Sequence, residues 1–176
     1  MSRIPLVDPA DMTAGQRQQY DRFPSNLTRA LLLADGRLAR ALPESANALR
    51  ASGLDDGIRE AVILRVAALS DSAYERMQHL GQARKVGWTD EQIGDIEAGN
   101  RGALPDDLAA VLAFVDECVA TTHVSDRVFR ALRDVLSDRD VVTVILLVGH
   151  YMTVARLTGS LEVELDEEPD AFTTEH

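Results

Sequence analysis

Apolar positions recur along most of the chain at steps of three and four, the spacing of one helix face, while two-residue alternation and Asn-Gly hairpin turns are missing. The pattern predicts an all-α protein. Thr13 and Gln16 fit a capping box that opens a short helix near residues 13–23. A helical stretch follows from about Asn26, with interruptions expected at Asp35-Gly36 and again at Pro43, which removes an N–H from a helix interior and clashes with the preceding turn. Gly53 ends it. Leu54-Asp55-Asp56 begins a strongly patterned helix: acids occupy its first turn, where the dipole favours negative charge, and Val62, Ile63, Val66, Ala67 and Leu69 supply its apolar face. It stops near Ser70-Asp71, and the next helix runs to Val86-Gly87, with Gly87 suited to a C-terminal cap.

Thr89 and Gln92 form another capping box, Pro105-Asp106-Asp107 starts a further helix, and Ser125 caps one whose stripe of Val128, Phe129, Leu132 and Leu136 is expected to be buried. Ser137 and Asp140 open a long apolar helix through Val141, Val144, Ile145, Leu147, Val148, Tyr151, Val154 and Leu157 to Gly159. Its apolar face is too wide for one-sided burial, so it is expected at the centre of the fold or against a neighbouring subunit. The expected organisation is an N-terminal helical extension at 1–50, a core at 51–165 and a solvated acidic tail at 166–176.

The chain has 176 residues, 45% of them hydrophobic, and its 29 Asp plus Glu against 18 Lys plus Arg leave a formal charge of −11. Nucleic acid and anionic membrane are poor partners for such a surface, because both bind through clustered positive charge. Cys118 is the single cysteine, which rules out an intrachain disulfide, a Cys-x-x-Cys redox pair and a Cys-rich zinc site. Pro and Asp near the start argue against a secretory segment. The longest apolar run, 141–149, falls short of the roughly 18 residues that cross a bilayer. The expectation is a soluble, cytoplasmic protein whose partners are small molecules and other proteins.

Ser72, Glu75 and His79 are separated by three and four residues, so they project from one side of their helix. Glu60 is followed by Ile63, Leu64 and Ala67 at helical neighbour spacing, which directs its carboxyl into apolar surroundings. Two antiparallel helices joined at Ser70-Asp71 bring Glu60 onto the His79 side, and a buried carboxyl beside an imidazole is a proton-transfer pair. The plainer alternative is an ordinary i, i+4 pair of Glu75 and His79, worth roughly 0.2–0.5 kcal/mol on an exposed face. A divalent metal held by Glu60, Glu75 and His79 is a third option, disfavoured by the single histidine in this region. His150 and Tyr151 have two readings, lining the same cavity from another helix or subunit or, the favoured one, satisfying local hydrogen bonds in the core; His123 is expected to sit in a loop or cap and Cys118 to be a small core residue.

The stretch from Leu54 to Leu69, with Tyr74-Glu75-Arg76-Met77-Gln78-His79 and 83–87, resembles the core of the carboxymuconolactone decarboxylase family, also called AhpD-like. The pattern Glu-x11-Cys-x2-Cys-x3-His of its redox branch lands on Glu60, Ser72, Glu75 and His79, with both cysteines replaced. The Tyr-Glu-x-x-x-His string is similar to a cysteine-free branch in which Trp usually follows the Glu; here Arg76 does. The resemblance implies an oligomeric AhpD-like helical bundle (dimer, trimer or hexamer) with neither metal nor organic cofactor. It also implies no alkylhydroperoxidase activity, since that chemistry needs an attacking thiolate and a resolving partner. Loss of CO2 from a lactone substrate leaves an enolate to be stabilised at oxygen and protonated at carbon. Glu60 and His79 are the catalytic candidates. Ser72 or Tyr74 would donate a hydrogen bond, Glu75 lies beside them, and Arg65 is the candidate for orienting a carboxylate. The competing class is a non-catalytic helical oligomer that keeps the fold as a binding module.

Overall fold

In the computed structural model, which describes residues 2–167, one helix carries almost no polar face: Ala61, Val62, Ile63, Leu64, Val66 and Ala67 are all buried. A helix buried all round lies at the centre of its fold. This is α4, Asp56–Leu69, and α5 (Ala73–Lys85), α6 (Asp90–Ala98), α7 (Asp106–Thr121) and α9 (Asp138–Leu161) pack around it. Val62, Ile63 and Val66 join Val111, Val115, Leu132, Val144 and Val148 in one cluster, while Ala61 and Leu64 join Ile93, Ile96, Leu108 and Leu112 in a second. Each large side chain so buried contributes about 1.5–3 kcal/mol. Helices α1 (Ala14–Arg22), α2 (Asn26–Leu31) and α3 (Gly36–Arg50) cover the α9 side, and α8 (Asp126–Val135) completes the bundle against α7. Among the described residues the chain is all-α.

Three of the expected caps form and one does not: Ser125 stands at the start of α8, but its side chain makes no cap hydrogen bond and donates instead to Glu117 Oε1 at 3.1 Å. Thr13 with Gln16 and Thr89 with Gln92 make complete capping boxes, and Ser137 accepts from the Asp140 N–H. Pro43 behaves differently from expectation: α3 runs through it. The carbonyl four residues back, Ala39 O, loses its usual donor, and Gln19 Nε2 reaches across from α1 to supply one at 2.7 Å. A side chain twenty-four positions upstream thus repairs the helix that proline would otherwise interrupt. Phe129 also departs from expectation, standing 38% exposed while Val128 and Leu132 are buried.

Helix α9 is long and apolar enough to span a membrane, but half of its most apolar stretch is buried inside the bundle, as a core helix requires. Its outward stripe of Val142, Ile145 and Leu146 stays exposed, as does Leu38 on α3. Asp166, placed by its composition in a solvated tail, is docked: its carboxylate accepts from Tyr74 Oη, Gln78 Nε2 and the Asn26 N–H. Residues 168–176, the remainder of that expected tail, lie outside the described residues.

Candidate functional site

The turn between α4 and α5 sets the site. Asp71 takes the left-handed conformation (φ 50°), and the Ser72 N–H returns to Ala67 O at 2.9 Å, so α5 folds straight back along α4. Asp tolerates this region better than most non-glycine residues. Ser72 caps α5 by accepting from the Glu75 N–H and lies outside the cavity wall described below. Its role is to start the helix, where the sequence suggested a hydrogen bond to substrate.

The antiparallel pair closes Glu60 onto His79, with Glu60 Oε2 2.7 Å from His79 Nδ1. Glu60 is 2% exposed. Its other oxygen accepts from Arg59 Nε at 3.1 Å, and Arg59 also pairs with Asp56. Burial acts to raise the Glu60 pKa, but the hydrogen bond and charge of His79, together with Arg59, overcome it and hold the carboxyl below the ordinary value. An ionised Glu60 accepts the Nδ1 proton and leaves Nε2 as the working nitrogen of the ring. On that side stands Glu75 Oε2, at 3.9 Å. Glu75 is 3% exposed, its carboxyl makes no hydrogen bond among the described residues, and burial pushes its pKa up to about 7 against the opposing charge of His79. The two carboxyls therefore differ: one fixed as an anion on Nδ1, one exchanging its proton near neutrality beside Nε2.

His79 and Glu75 open into a cavity of about 100 Å³ walled by α2, α3, α5 and α9. Leu27, Leu31, Leu42 and Val154 make it apolar, and Tyr74, Gln78, His150, Tyr151 and Arg50 supply polar groups. His150 and Tyr151 thus line the site, the less favoured of their two readings from sequence. The Tyr151 ring meets His79 edge-on at 5.0 Å and 87°, and its hydroxyl makes no hydrogen bond among the described residues. Burial, reinforced by the negative charge of Glu75 and Glu60, raises the Tyr151 pKa, which keeps the phenol a donor. His150 contacts Ser45 Oγ at 3.2 Å; burial and the charge of His79 push its pKa down to about 4, so it is neutral.

Tyr74 reaches the cavity as well, but its hydroxyl proton is committed to Asp166, and burial followed by that bond and charge raises its pKa. The same carboxylate fixes the Gln78 amide through Nε2 at 2.6 Å, leaving Gln78 Oε1 buried without a hydrogen bond.

Arg65 is far from these groups. Its guanidinium bonds Asp116 Oδ1 and Glu97 O, each at 2.6 Å, and packs so tightly on Gly99 that a Cβ there would lie 2.6 Å from Nη2. It staples α4 to α6 and α7 rather than orienting a substrate carboxylate. The arginine in the cavity wall is Arg50, at the end of α3, which makes no ion pair among the described residues. Arg76, standing where Trp is usual, grips Glu97 through two bonds of 2.6 and 3.3 Å and is outside the wall. Cys118 lies in α7 against the main core, and burial pushes its thiol pKa up, away from reactivity. Glu60 and Glu75 flank opposite nitrogens of one ring and do not converge, and no cluster of three or more metal-ligating side chains occurs among the described residues.

The helical arrangement around this cavity is an AhpD-like fold. A peroxidase-related protein from Ralstonia eutropha JMP134, described as an alkylhydroperoxidase AhpD core, superposes with a TM-score of 0.81 at 21% identity, covering 96% of this chain and 94% of its own. The debrominase Bmp8, solved with 2,3,4-tribromopyrrole, gives 0.76 at 12% identity, with 97% of each chain covered. A protein of unknown function from Agrobacterium tumefaciens, provisionally called an antioxidant defence protein AhpD, gives 0.69 at 22% identity over 73% of this chain and 90% of its own. Residues 36–99 match the carboxymuconolactone decarboxylase family, so the resemblance read from the sequence holds over the segment that carries Glu60, Ser72, Glu75 and His79. Comparison with curated proteins finds no match.

Proposed function

We propose that the protein is a cofactor-free lyase or isomerase that moves a proton at carbon in a small carboxylated or lactone-like substrate, without alkylhydroperoxidase activity. The observation that carries this reading is the Glu60–His79 contact of 2.7 Å, buried and opening through Nε2 into an apolar cavity. Glu60 holds the imidazole in one tautomer, so Nε2 takes up or delivers the transferred proton. Glu75, titrating near 7 beside Nε2, is suited to exchange that proton. In a decarboxylation the bond to the leaving carboxylate breaks, its electrons remain on the substrate as an enolate, and the carbon is protonated from His79 or Glu75. In an isomerisation Nε2 removes a proton from one carbon and returns it to another. Either route develops charge on a substrate oxygen, and the Tyr151 hydroxyl in the cavity wall would donate to it. The protein would act in the cytoplasm as a homo-oligomer.

The test is deuterium incorporation from heavy water into aromatic acids, muconolactones and keto acids, followed by proton NMR together with carbon dioxide release. Turnover of at least one acid is expected, slowed about 100-fold or more in His79→Gln and Glu60→Gln. Equal rates in folded His79→Gln and wild-type protein overturn the assignment. Binding without exchange or carbon dioxide release across the set makes the protein a binding module instead.

A further inference from the structure

One cation in the cavity wall takes no part in the proton transfers. Arg50 ends α3 and is exposed there, yet it lines the cavity together with His79, Glu75 and Tyr151. Its guanidinium makes neither a hydrogen bond nor an ion pair among the described residues. The neighbouring arginines are occupied: Arg59 by Glu60 and Asp56, Arg65 by Asp116, and Arg76 by Glu97. Arg50 also lies near enough to Tyr151 for its charge to act on the phenol. Burial, then the anions Glu75 and Glu60, raise the Tyr151 pKa, and Arg50 followed by Arg59 opposes them. The space between these groups is small. A cavity of about 150 Å³ holds a benzene, and this one, about 100 Å³ with an open mouth, brings a ligand of one ring against its walls on all sides.

We infer that Arg50 is a further catalytic residue: its guanidinium and the Tyr151 hydroxyl together hold the substrate oxygen that becomes negative as the bond at carbon breaks. This rests on the proton-transfer reading of the same cavity, and it narrows the substrate class to acids in which that carbon adjoins a carbonyl. The bonding pair then moves onto the carbonyl oxygen, while the proton goes to His79 Nε2 or the carboxylate leaves as carbon dioxide. The charges around that oxygen make a cation necessary. Glu60 is engaged by His79 and Arg59, but Glu75 exchanges its proton near neutrality and is an anion for part of the time. A phenol hydrogen bond sets only a dipole against that carboxylate. Guanidinium adds a full positive charge, delivered through N–H groups of fixed geometry. An anion without such a partner is disfavoured in an apolar cavity, so the cation governs how readily the enolate forms there. Because Arg50 is exposed, water screens part of its charge, and the expected effect is moderate.

The experiment is a spectroscopic titration of the full chain with 4-nitrophenol, whose phenolate is an enolate-like oxyanion on one ring and absorbs visible light where the phenol does not. Wild-type protein should bind the phenolate in preference, seen as growth of its band at a fixed pH near neutrality. Arg50→Gln should weaken phenolate binding about tenfold, and Arg50→Lys should recover part of the loss. Binding of 4-nitroanisole, which has no ionisable oxygen, should be the same in wild type and Arg50→Gln. Preference for the phenol, no binding at millimolar concentration, or Arg50→Gln binding phenolate as wild type does would each overturn the inference, as would an equal loss of 4-nitroanisole. Failure of the proton-transfer reading alone leaves an Arg50-dependent phenolate band with no deuterium exchange in any acid. Failure of the Arg50 role alone leaves exchange in place and the band unchanged in Arg50→Gln.

Discussion

Replacing Glu75 by Gln isolates the energetic consequence of burying that carboxyl. Burial moves its pKa from the ordinary 4.5 to about 7. In that interval the folded protein retains a proton that the unfolded chain releases, so stability falls as pH rises from 4.5 to 7 and stays lower above it. At about 1.4 kcal/mol per pH unit the loss approaches ~3 kcal/mol by pH 8. His150 acts in the opposite direction. Its folded pKa is held down near 4 from 6.5, so the unfolded chain takes up a proton first as pH falls, and stability rises with pH across 4 to 6.5 by a similar amount. The two slopes nearly cancel between pH 4.5 and 6.5, where Glu60, His79 and the exposed Arg50 are common to both proteins being compared. Glu75→Gln should match wild type near pH 5, exceed it by ~3 kcal/mol at pH 8, and show the uncompensated rise contributed by His150 between. Urea unfolding of the two proteins at intervals from pH 5 to 8 measures this. A stability difference that does not change with pH refutes the reasoning, whatever its size.

Other expectations follow from the packing. Gln19→Ala leaves the buried Ala39 carbonyl without a donor and should cost about 1–3 kcal/mol; in a Pro43→Ala background, which restores a backbone N–H at position 43, the cost should drop below about 1 kcal/mol, and equal costs in the two backgrounds would falsify the repair described here. The exposed stripe of Val142 and Leu146 is expected to be covered by another copy of the chain. Wild-type protein should therefore sediment as an oligomer at low micromolar concentration and Val142→Glu/Leu146→Glu as a smaller species, whereas a wild-type monomer contradicts the expectation.

Local signals were legible in the sequence and remote ones were not. Thr13, Thr89 and Ser137 announce helix starts because a cap and its partner lie three residues apart. Glu60 and His79 were found because periodicity and a single tight turn relate their two helices. Pro43 reads as a helix break because its compensation comes from Gln19, on another helix. Ser72 and Arg65 were assigned chemistry by proximity in sequence, yet one is spent on capping and the other on Asp116, fifty-one positions away. Arg50 carries no signal in the sequence, because nothing local distinguishes an arginine at a helix end, and Tyr151 is favoured for packing because a polar residue on an apolar helix more often satisfies local hydrogen bonds. Only the packing of α9 on α5, and of α3 on α9, brings both residues into the wall that holds His79.

Asp166 joins the final described turn of the chain to the beginning of α2, linking positions 140 residues apart, and it does so through two side chains that line the cavity. Synthesis proceeds from the amino end, so α2 through α5 emerge long before the carboxylate that pins Tyr74 and Gln78. The stretch of wall made by Tyr74 and Gln78 is consequently left without its anchor until position 166 has itself been synthesised, so the two side chains are free to move while the helices around them are already in place.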